Sequence, residues 1–227
     1  MLNQRCIAII PARGGSKRLP RKNVMDFHGK PILAWTIEAA KQAQCFQTIV
    51  VSSEDSEIQA IARRYGAEIH ERSMELASDS ATVAQVCEAV IAAEQNQGRD
   101  YDILACLYAT APMRTAEDIV ATLQLLEHPN CQYAIATCDY THYPFQALHV
   151  GQDNFVQPMW PELLKKRSSE IGSLVADNGS TYCVKVPVFL ESKDFYGEGT
   201  RVHMMPFSRS VDIDNRQDYE LSLKLSH

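Results

Sequence analysis

The sequence has no Cys-x-x-Cys pair and no His-Glu-x-x-His motif, although it holds seven cysteines and seven histidines. An odd, unpaired cysteine set reads as reduced thiols rather than a disulfide framework. Cys6, Cys106, Cys138 and Cys183 lie in apolar, strand-like stretches, where a thiol acts as a small hydrophobe. The scattered histidines argue against a histidine-based metal centre or a histidine-dependent nucleophile. No apolar run approaches the roughly 18 residues of a spanning helix, so no membrane partner is expected. Met1-Leu2-Asn3-Gln4-Arg5 lacks the long apolar stretch of a secretion signal, and a cytoplasmic protein is expected. Gly-x4-Gly-Lys-Ser/Thr and Gly-x-Gly-x-x-Gly are both missing, which excludes a Walker A loop and a dinucleotide fingerprint. There are no internal repeats and no low-complexity segments.

What is present is a local concentration of positive charge on an acidic chain. The 227 residues carry a net charge of −6, yet Arg13 to Lys22 holds five of the 22 basic residues and no acid. This knot follows an apolar run, Cys6-Ile7-Ala8-Ile9-Ile10, that reads as a buried strand. Gly14 and Gly15 let backbone N–H groups approach a ligand closely, because no Cβ intervenes. Ser16, Lys17 and the other cations then supply donors and counter-charge. On an acidic protein such a knot points to a small polyphosphate ligand, not to a nucleic-acid track.

Strand and helix signals alternate along the chain. Thr48–Ser52, a short run at 67–70, Ile103–Tyr108 and Tyr133–Cys138 are strand-like. Pro31 sets a helix start, with Leu33, Ile37 and Ala40 on one face. A second helix carries Ile58, Ile61, Ala62 and Tyr65 and ends at Gly66. A third spans Thr82–Gln95, and a fourth runs from a Thr115/Asp118 cap to about Leu126. This rhythm predicts one α/β domain over residues 1–227: a three-layer sandwich around a Rossmann-like, mostly parallel sheet. Ligands in such sheets bind beyond the carboxyl ends of the strands, which is where the basic knot lies. From about Asp139 to Val175 the rhythm breaks; three prolines and several aromatics, Trp160 included, predict an insertion that covers a site or a partner subunit. Strand character resumes over Ser180–Val186, and a last helix, Arg216–Leu225, is capped by Asn215.

The long motif from Ile10 to Asn23, Ile-Pro-Ala-Arg-Gly-Gly-Ser-Lys-Arg-x-Pro-x-Lys-Asn, resembles that of the sugar-acid cytidylyltransferases. These enzymes activate nonulosonic acids, among them N-acetylneuraminic, legionaminic and pseudaminic acids, as CMP-sugars. The resemblance spans nearly the whole chain and implies a fold of the nucleotide-diphospho-sugar transferase type. It implies that Arg13, Ser16, Lys22 and Asn23 hold the CTP phosphates, with Lys17 assisting. Residues 71–79 resemble the family's second motif, so Arg72 and the segment ending at Ser80 would contact cytosine and ribose. Taken alone, Arg72 reads as a surface cation. The third motif, Leu107-Tyr108-Ala109-Thr110-Ala111-Pro112-Met113-Arg114, carries Tyr108 where neuraminate enzymes have glutamine. Tyr108 and Met159-Trp160-Pro161-Glu162 followed by Arg167-Ser168 are similar to the pseudaminate branch; the resemblance implies that Tyr108 and Thr110 bind the sugar and that Arg167 meets its carboxylate. Asn178, Gly179 and Tyr182 instead match the Asn-Gly-x-x-Tyr of neuraminate and legionaminate enzymes, where the pseudaminate branch has Gly-Gln-x-Tyr. Ala109 also replaces a usual proline. Pseudaminic acid is favoured, with N-acetylneuraminic or legionaminic acid as the alternative.

Asp212-Ile213-Asp214 closes the set. On a strand, alternation puts both carboxylates on one face and Ile213 on the other. Alone, the pair reads either as two solvent-facing acids or as ligands for a hard divalent cation. The resemblance implies Mg2+ on Asp212 and Asp214. The reaction expected is attack of a sugar hydroxyl on the α-phosphorus of CTP, with Arg13, Lys22 and Asp212 as the catalytic groups and a metal-bound hydroxide or Asp212 as base. A 3-deoxy-manno-octulosonate cytidylyltransferase and a non-catalytic CTP-binding regulator are the rivals. The family implies a homodimer whose insertions close over each other's sites.

Overall fold

The computed structural model describes residues 4–226; Met1, Leu2 and Asn3 of the N-terminal pentapeptide, His227 and the side chain of Ser168 lie outside the described residues. Strand β1 (Cys6–Pro11) leads through the basic loop to a small hairpin, β2 (Asp26–Phe27) and β3 (Lys30–Pro31), and then to α1 (Ile32–Gln42). Next come β4 (Thr48–Ser53), α2 (Ser56–Tyr65), β5 (Glu68–Glu71), α3 (Val83–Asn96), β6 (Ile103–Leu107), α4 (Ala116–Gln124) and β7 (Tyr133–Asp139). The following excursion contains a hairpin, β8 (Leu148–Val150) and β9 (Val156–Pro158), and two single-turn helices, α5 (Pro161–Leu164) and α6 (Ser168–Ile171). The chain returns as β10 (Val175–Lys185) and finishes with α7 (Val186–Ser192), β11 (Thr200–Met204) and α8 (Arg216–Leu225).

Seven strands form one sheet in the order β11-β7-β10-β6-β1-β4-β5. Only β10 runs antiparallel to its neighbours, β6 and β7. Strand alternation splits β1 between two cores. Ala8 and Ile10 pack with Leu33, Ile37, Ile58 and Ile119, the apolar faces of α1, α2 and α4. Ile7 and Ile9 pack with Cys87, Val90, Ile91 and Phe189 of α3 and α7 on the other side. The result is the three-layer α/β architecture that the alternating pattern predicts.

Helix ends follow their sequence signals. Asp55 caps α2 by accepting from the Glu57 and Ile58 amides, and Gly66 ends it at φ 87°. Thr82/Gln85, Thr115/Asp118 and Asn215/Asp218 each form a reciprocal capping box. Pro31 is the cap of α1 rather than its first residue, and α4 tightens into a 3-10 turn over Leu125–Glu127. One strand departs from expectation. β10 begins at Val175, not Ser180, and its register slips between Asp177 and Tyr182. Gly179 sits in that irregularity at φ 64°, a left-handed conformation that interrupts the apolar alternation by which strands are recognised.

A third apolar cluster fixes the ends of the chain. Leu19 of the basic loop, Phe27, Ile32, Val211 and Ile213 are buried together, with Tyr219 and Leu223 of α8 against them. Leu19 sits among cations and Ile213 between two aspartates, so burying both in one cluster draws opposite charges together across 194 residues of chain.

Candidate active site

The basic loop leaves the carboxyl end of β1 and is held by its own polar groups. Buried Asn23 donates from Nδ2 to the Arg13 carbonyl at 2.9 Å, closing the loop on itself. The Gly14 amide donates to Glu54 Oε1 at 2.8 Å. Neither Gly14 nor Gly15 has positive φ, so their value is space. A Cβ on Gly14 would lie 2.6 Å from Asp55 Oδ2, whereas one on Gly15 would meet no protein atom within 4 Å. Arg21 takes a left-handed conformation at φ 60° and turns away from the loop's other cations, pairing with Asp55 and Glu57.

The loop forms one wall of a cleft of about 270 Å³ to which Arg13, Ser16, Lys17, Arg18, Lys22 and Asn23 contribute. Opposite stand Arg72, Ser78, Asp79, Tyr108, Thr110 and Asp214. Arg72 is buried and pinned, donating from Nη2 to the Ser52 carbonyl at 2.8 Å and from Nε to Ser52 Oγ at 3.3 Å. Burial lowers its pKa from the ordinary guanidinium value. Burial raises the Tyr108 phenol well above its ordinary value, and the ring packs 5.2 Å from that of Tyr182.

Asp212, Ile213 and Asp214 lie in no strand, which corrects the expectation that strand alternation places the two carboxylates. The Ile213 amide donates to the Thr110 carbonyl at 2.9 Å and the Asp214 amide to Asp218 Oδ2 at 2.9 Å. A short connection pinned by buried Ile213 needs no ladder to alternate its side chains. The two carboxylates face different partners. Asp212 accepts the Thr110 hydroxyl, and its Oδ2 is so close to Gly179 that a Cβ there would lie 2.9 Å away. Asp214 meets Lys22 Nζ at 2.8 Å and Arg18 Nη2 at 2.6 Å. Burial raises the pKa of Asp212 above the usual carboxylate range. Burial also pushes Asp214 upward, but the Lys22 and Arg18 charges outweigh it and leave that carboxyl below its ordinary value.

Other candidates sit differently. Ser80 shares a hydroxyl contact of 3.0 Å with Ser78 beside the cleft. Asn178 is buried and donates to Ser210 Oγ at 3.2 Å, tying β10 to the segment before the acidic doublet. Tyr182 is also buried, and its hydroxyl donates to Asp177 at 2.8 Å. Arg167 is exposed on the excursion and caps α6, its amide donating to Glu170 at 2.6 Å; the cleft of its own chain does not include it. Sequence reading missed Glu54 and, though Asp79 and Arg114 fall within the second and third motifs, gave neither a role. Buried Arg114 donates to the Ser180 carbonyl at 2.6 Å and Thr36 Oγ1 at 2.8 Å, and burial lowers its pKa to about 10. It braces the Tyr108–Thr110 turn from behind, donating to the Tyr108 carbonyl at 3.3 Å.

Among the described residues, no group of three or more His, Cys, Asp or Glu side chains could hold a metal. Two carboxylates with hard oxygen donors still suit Mg2+, which keeps most of its shell as water and phosphate oxygens.

A family model described as cytidylyltransferase matches residues 7–223. The chain is 34% identical over 218 residues to the pseudaminic acid cytidylyltransferase of Campylobacter jejuni, covering 95% of this chain and 94% of that one. It is 33% identical over 224 residues to the CMP-N,N'-diacetyllegionaminic acid synthase of Legionella pneumophila, covering 97% and 96%. Its fold matches that of a CMP:2-keto-3-deoxy-manno-octonic acid synthetase complexed with CTP, with a TM-score of 0.72 over 98% of each chain at 16% identity. The chain therefore belongs to the cytidylyltransferase family, among the CMP-nonulosonic acid synthetases, and is a nucleotidyltransferase.

Proposed function

We propose that the protein transfers the cytidylyl group of CTP to a nine-carbon sugar acid, with pseudaminic acid as substrate, and releases pyrophosphate. The observation that carries this reading is the 2.8 Å contact between Lys22 of the basic loop and Asp214 of the acidic doublet. A triphosphate and its cation need that pairing of opposite charges at one place. Arg13, Ser16, Lys17 and Lys22 would bind the phosphates, with the open Gly15 backbone allowing close approach. Arg72, held rigid by Ser52, would donate to the cytosine, and the 78–80 segment would border the ribose.

Asp212 and Asp214 would hold Mg2+, which when bound supplies positive charge to the phosphate oxygens. Because Asp214 is already paired with Lys22 and Arg18, a metal held there would enter together with the nucleotide, whose phosphates would share those two cations with the carboxylate. Attack of the sugar's anomeric hydroxyl on the α-phosphorus breaks the bond to the bridging oxygen. Arg13 and Lys22 stabilise the charge that gathers on the leaving pyrophosphate. Asp212 would accept the hydroxyl proton through the carboxylate oxygen that the metal leaves free.

Tyr108 and Tyr182 would border the sugar, and their buried ring contact gives that end of the cleft an apolar wall. Arg167 would meet the sugar carboxylate of a partner subunit, since it stands outside its own cleft. We place the enzyme in the cytoplasm as a homodimer; seven free cysteines suit a reducing compartment.

Incubation with CTP, Mg2+ and a panel of pseudaminic, legionaminic, N-acetylneuraminic and 3-deoxy-manno-octulosonic acids tests this by pyrophosphate release. Fastest release is expected with pseudaminic acid. Release with none of them overturns the reading. Legionaminic acid is the second reading, favoured by Asn178-Gly179-x-x-Tyr182 and the 33% identity to the Legionella enzyme.

A further inference from the structure

The Asp79 carboxylate holds two of the cations assigned to the triphosphate. Its Oδ1 accepts from Arg13 Nη1 at 2.9 Å, and its Oδ2 pairs with the Lys17 ammonium. The Arg13 guanidinium also donates to the Ser78 carbonyl at 3.4 Å. Lys17 and then Arg13 hold the Asp79 carboxyl below its ordinary pKa. Asp214 does the same on the opposite wall with Lys22 and Arg18. The loop's cleft cations are thus shared between two carboxylates, with neighbours Lys17 and Arg18 drawn to opposite sides.

The two acids differ in how firmly they are placed. Asp214 follows buried Ile213 in an apolar cluster. Asp79 lies in the connection from β5 to α3, which folds on itself through bonds such as Ala77 N to Ser73 O at 3.1 Å and Ser78 N to Glu75 O at 3.2 Å. Its side chain is 50% exposed, and Met74 nearby is 78% exposed. A carboxylate on such a segment, held by charge in open solvent, can be exchanged for a stronger anion.

We propose that Asp79 is an internal stand-in for the nucleotide phosphates: it latches the 73–81 segment onto the basic loop and is displaced when a triphosphate takes Arg13 and Lys17. This rests on the reading of the cleft as a triphosphate site. It makes Asp79 a competitor of the ligand rather than a contact to it. The two roles predict opposite signs. Neutralising a competitor tightens binding, whereas neutralising a carboxylate that accepts from ribose or cytosine weakens it.

The test measures binding of CTP, inorganic tripolyphosphate and cytidine to wild-type protein, Asp79→Asn and Asp79→Glu by calorimetry and stopped flow. With Asp79→Asn, the Kd for CTP and for tripolyphosphate is expected to fall by about three- to tenfold, with faster association, as suits loss of an exposed competing charge. Cytidine, which has no phosphates, should bind the variant and wild type equally. Asp79→Glu, which keeps the charge, should behave as wild type. Unchanged or weaker tripolyphosphate binding by Asp79→Asn overturns the latch. Failure of wild-type protein to bind CTP while tripolyphosphate still binds more tightly to Asp79→Asn would overturn the nucleotide reading and leave the latch standing. Failure of the wild type to bind either ligand overturns both.

Discussion

At the scale of single residues, Lys22 carries the most weight. Its ammonium donates to Asp214 Oδ1 at 2.8 Å and to the Ile213 carbonyl at 3.2 Å, so it is fixed by two partners before any ligand arrives. A preorganised charge of this kind contributes more to a charged transition state than a mobile one would. Lys22→Ala is expected to lower kcat for pyrophosphate release by about a hundredfold, the effect of losing one such group. Its thermal midpoint should change little, because the side chain fills no core. Near-normal turnover in Lys22→Ala would remove the role assigned to it. The residues that sequence reading identified here share one property: glycine and positive charge crowd together after a core strand, and crowding is visible along a chain. Asp79 and Glu54 have no such neighbours. They become notable only when folding sets Asp79 beside Arg13, 66 positions away, and Glu54 beneath Gly14, 40 positions away.

Among the elements, α4 does more than cover the sheet. Its N3 residue, Asp118, closes the capping box with Thr115 at 3.0 Å and also accepts from Arg209 Nη2 at 3.1 Å and meets His203 Nε2 at 3.2 Å. His203 lies on β11 and Arg209 on the connection that leads to the acidic doublet, so one buried carboxylate ties a helix start to the segment carrying Asp212. Asp118→Asn is expected to cost about 2–3 kcal/mol in urea unfolding, since it removes the charge from a buried, multiply bonded site. Burial pushes the Asp118 carboxyl up, but the Thr115 amide, Arg209 and His203 together leave it below its ordinary value. A lowered carboxyl stabilises the fold above the unfolded-state pKa of about 3.9 and loses that contribution as pH falls through the folded value. The stability gap between wild type and Asp118→Asn should therefore narrow as pH falls below about 4. A gap that stays constant down to pH 3.5 would show that the charge of Asp118 is not what stabilises. The cap itself was legible, because Thr-x-x-Asp ahead of an apolar face is a local signal. So were α1 to α3 and α8, whose apolar spacing repeats within a few residues. β8, β9, α7 and β11 were not. β8, β9 and β11 are three to five residues long and largely exposed, so no buried face imprints a period on them. α7 begins with Val-Pro-Val, where strand-like residues mask a helix whose first turn the proline preorganises.

The whole molecule leaves its excursion unfinished. The β8–β9 hairpin pairs only with itself, in a two-stranded sheet, and such hairpins are marginal alone. It nonetheless exposes Leu148, Val150, Val156 and Phe155, the last at 77%, with Met159 and Trp160 beside them. The proposed homodimer would cover this apolar surface with a second copy. Arg167 lies on the same excursion, outside its own cleft, which a dimer explains if each excursion completes the neighbouring site. Light scattering at micromolar concentration should give twice the 25.5 kDa mass of one chain, and Phe155→Glu should shift it towards one chain. Shared sites make a stricter claim that mass cannot test. Lys22→Ala and Arg167→Ala should each be nearly inactive alone, the first through its own cleft and the second through its partner's. When the two are unfolded together and refolded as a mixture, half the dimers are mixed. One of the two sites in a mixed dimer then has both native residues, so activity should recover to about a quarter of wild type, as two-fold symmetry requires. Recovery at that level requires the arginine and the lysine to come from different subunits. No recovery from a mixture shown to contain mixed dimers would place each active site within one chain and leave Arg167 without a catalytic partner.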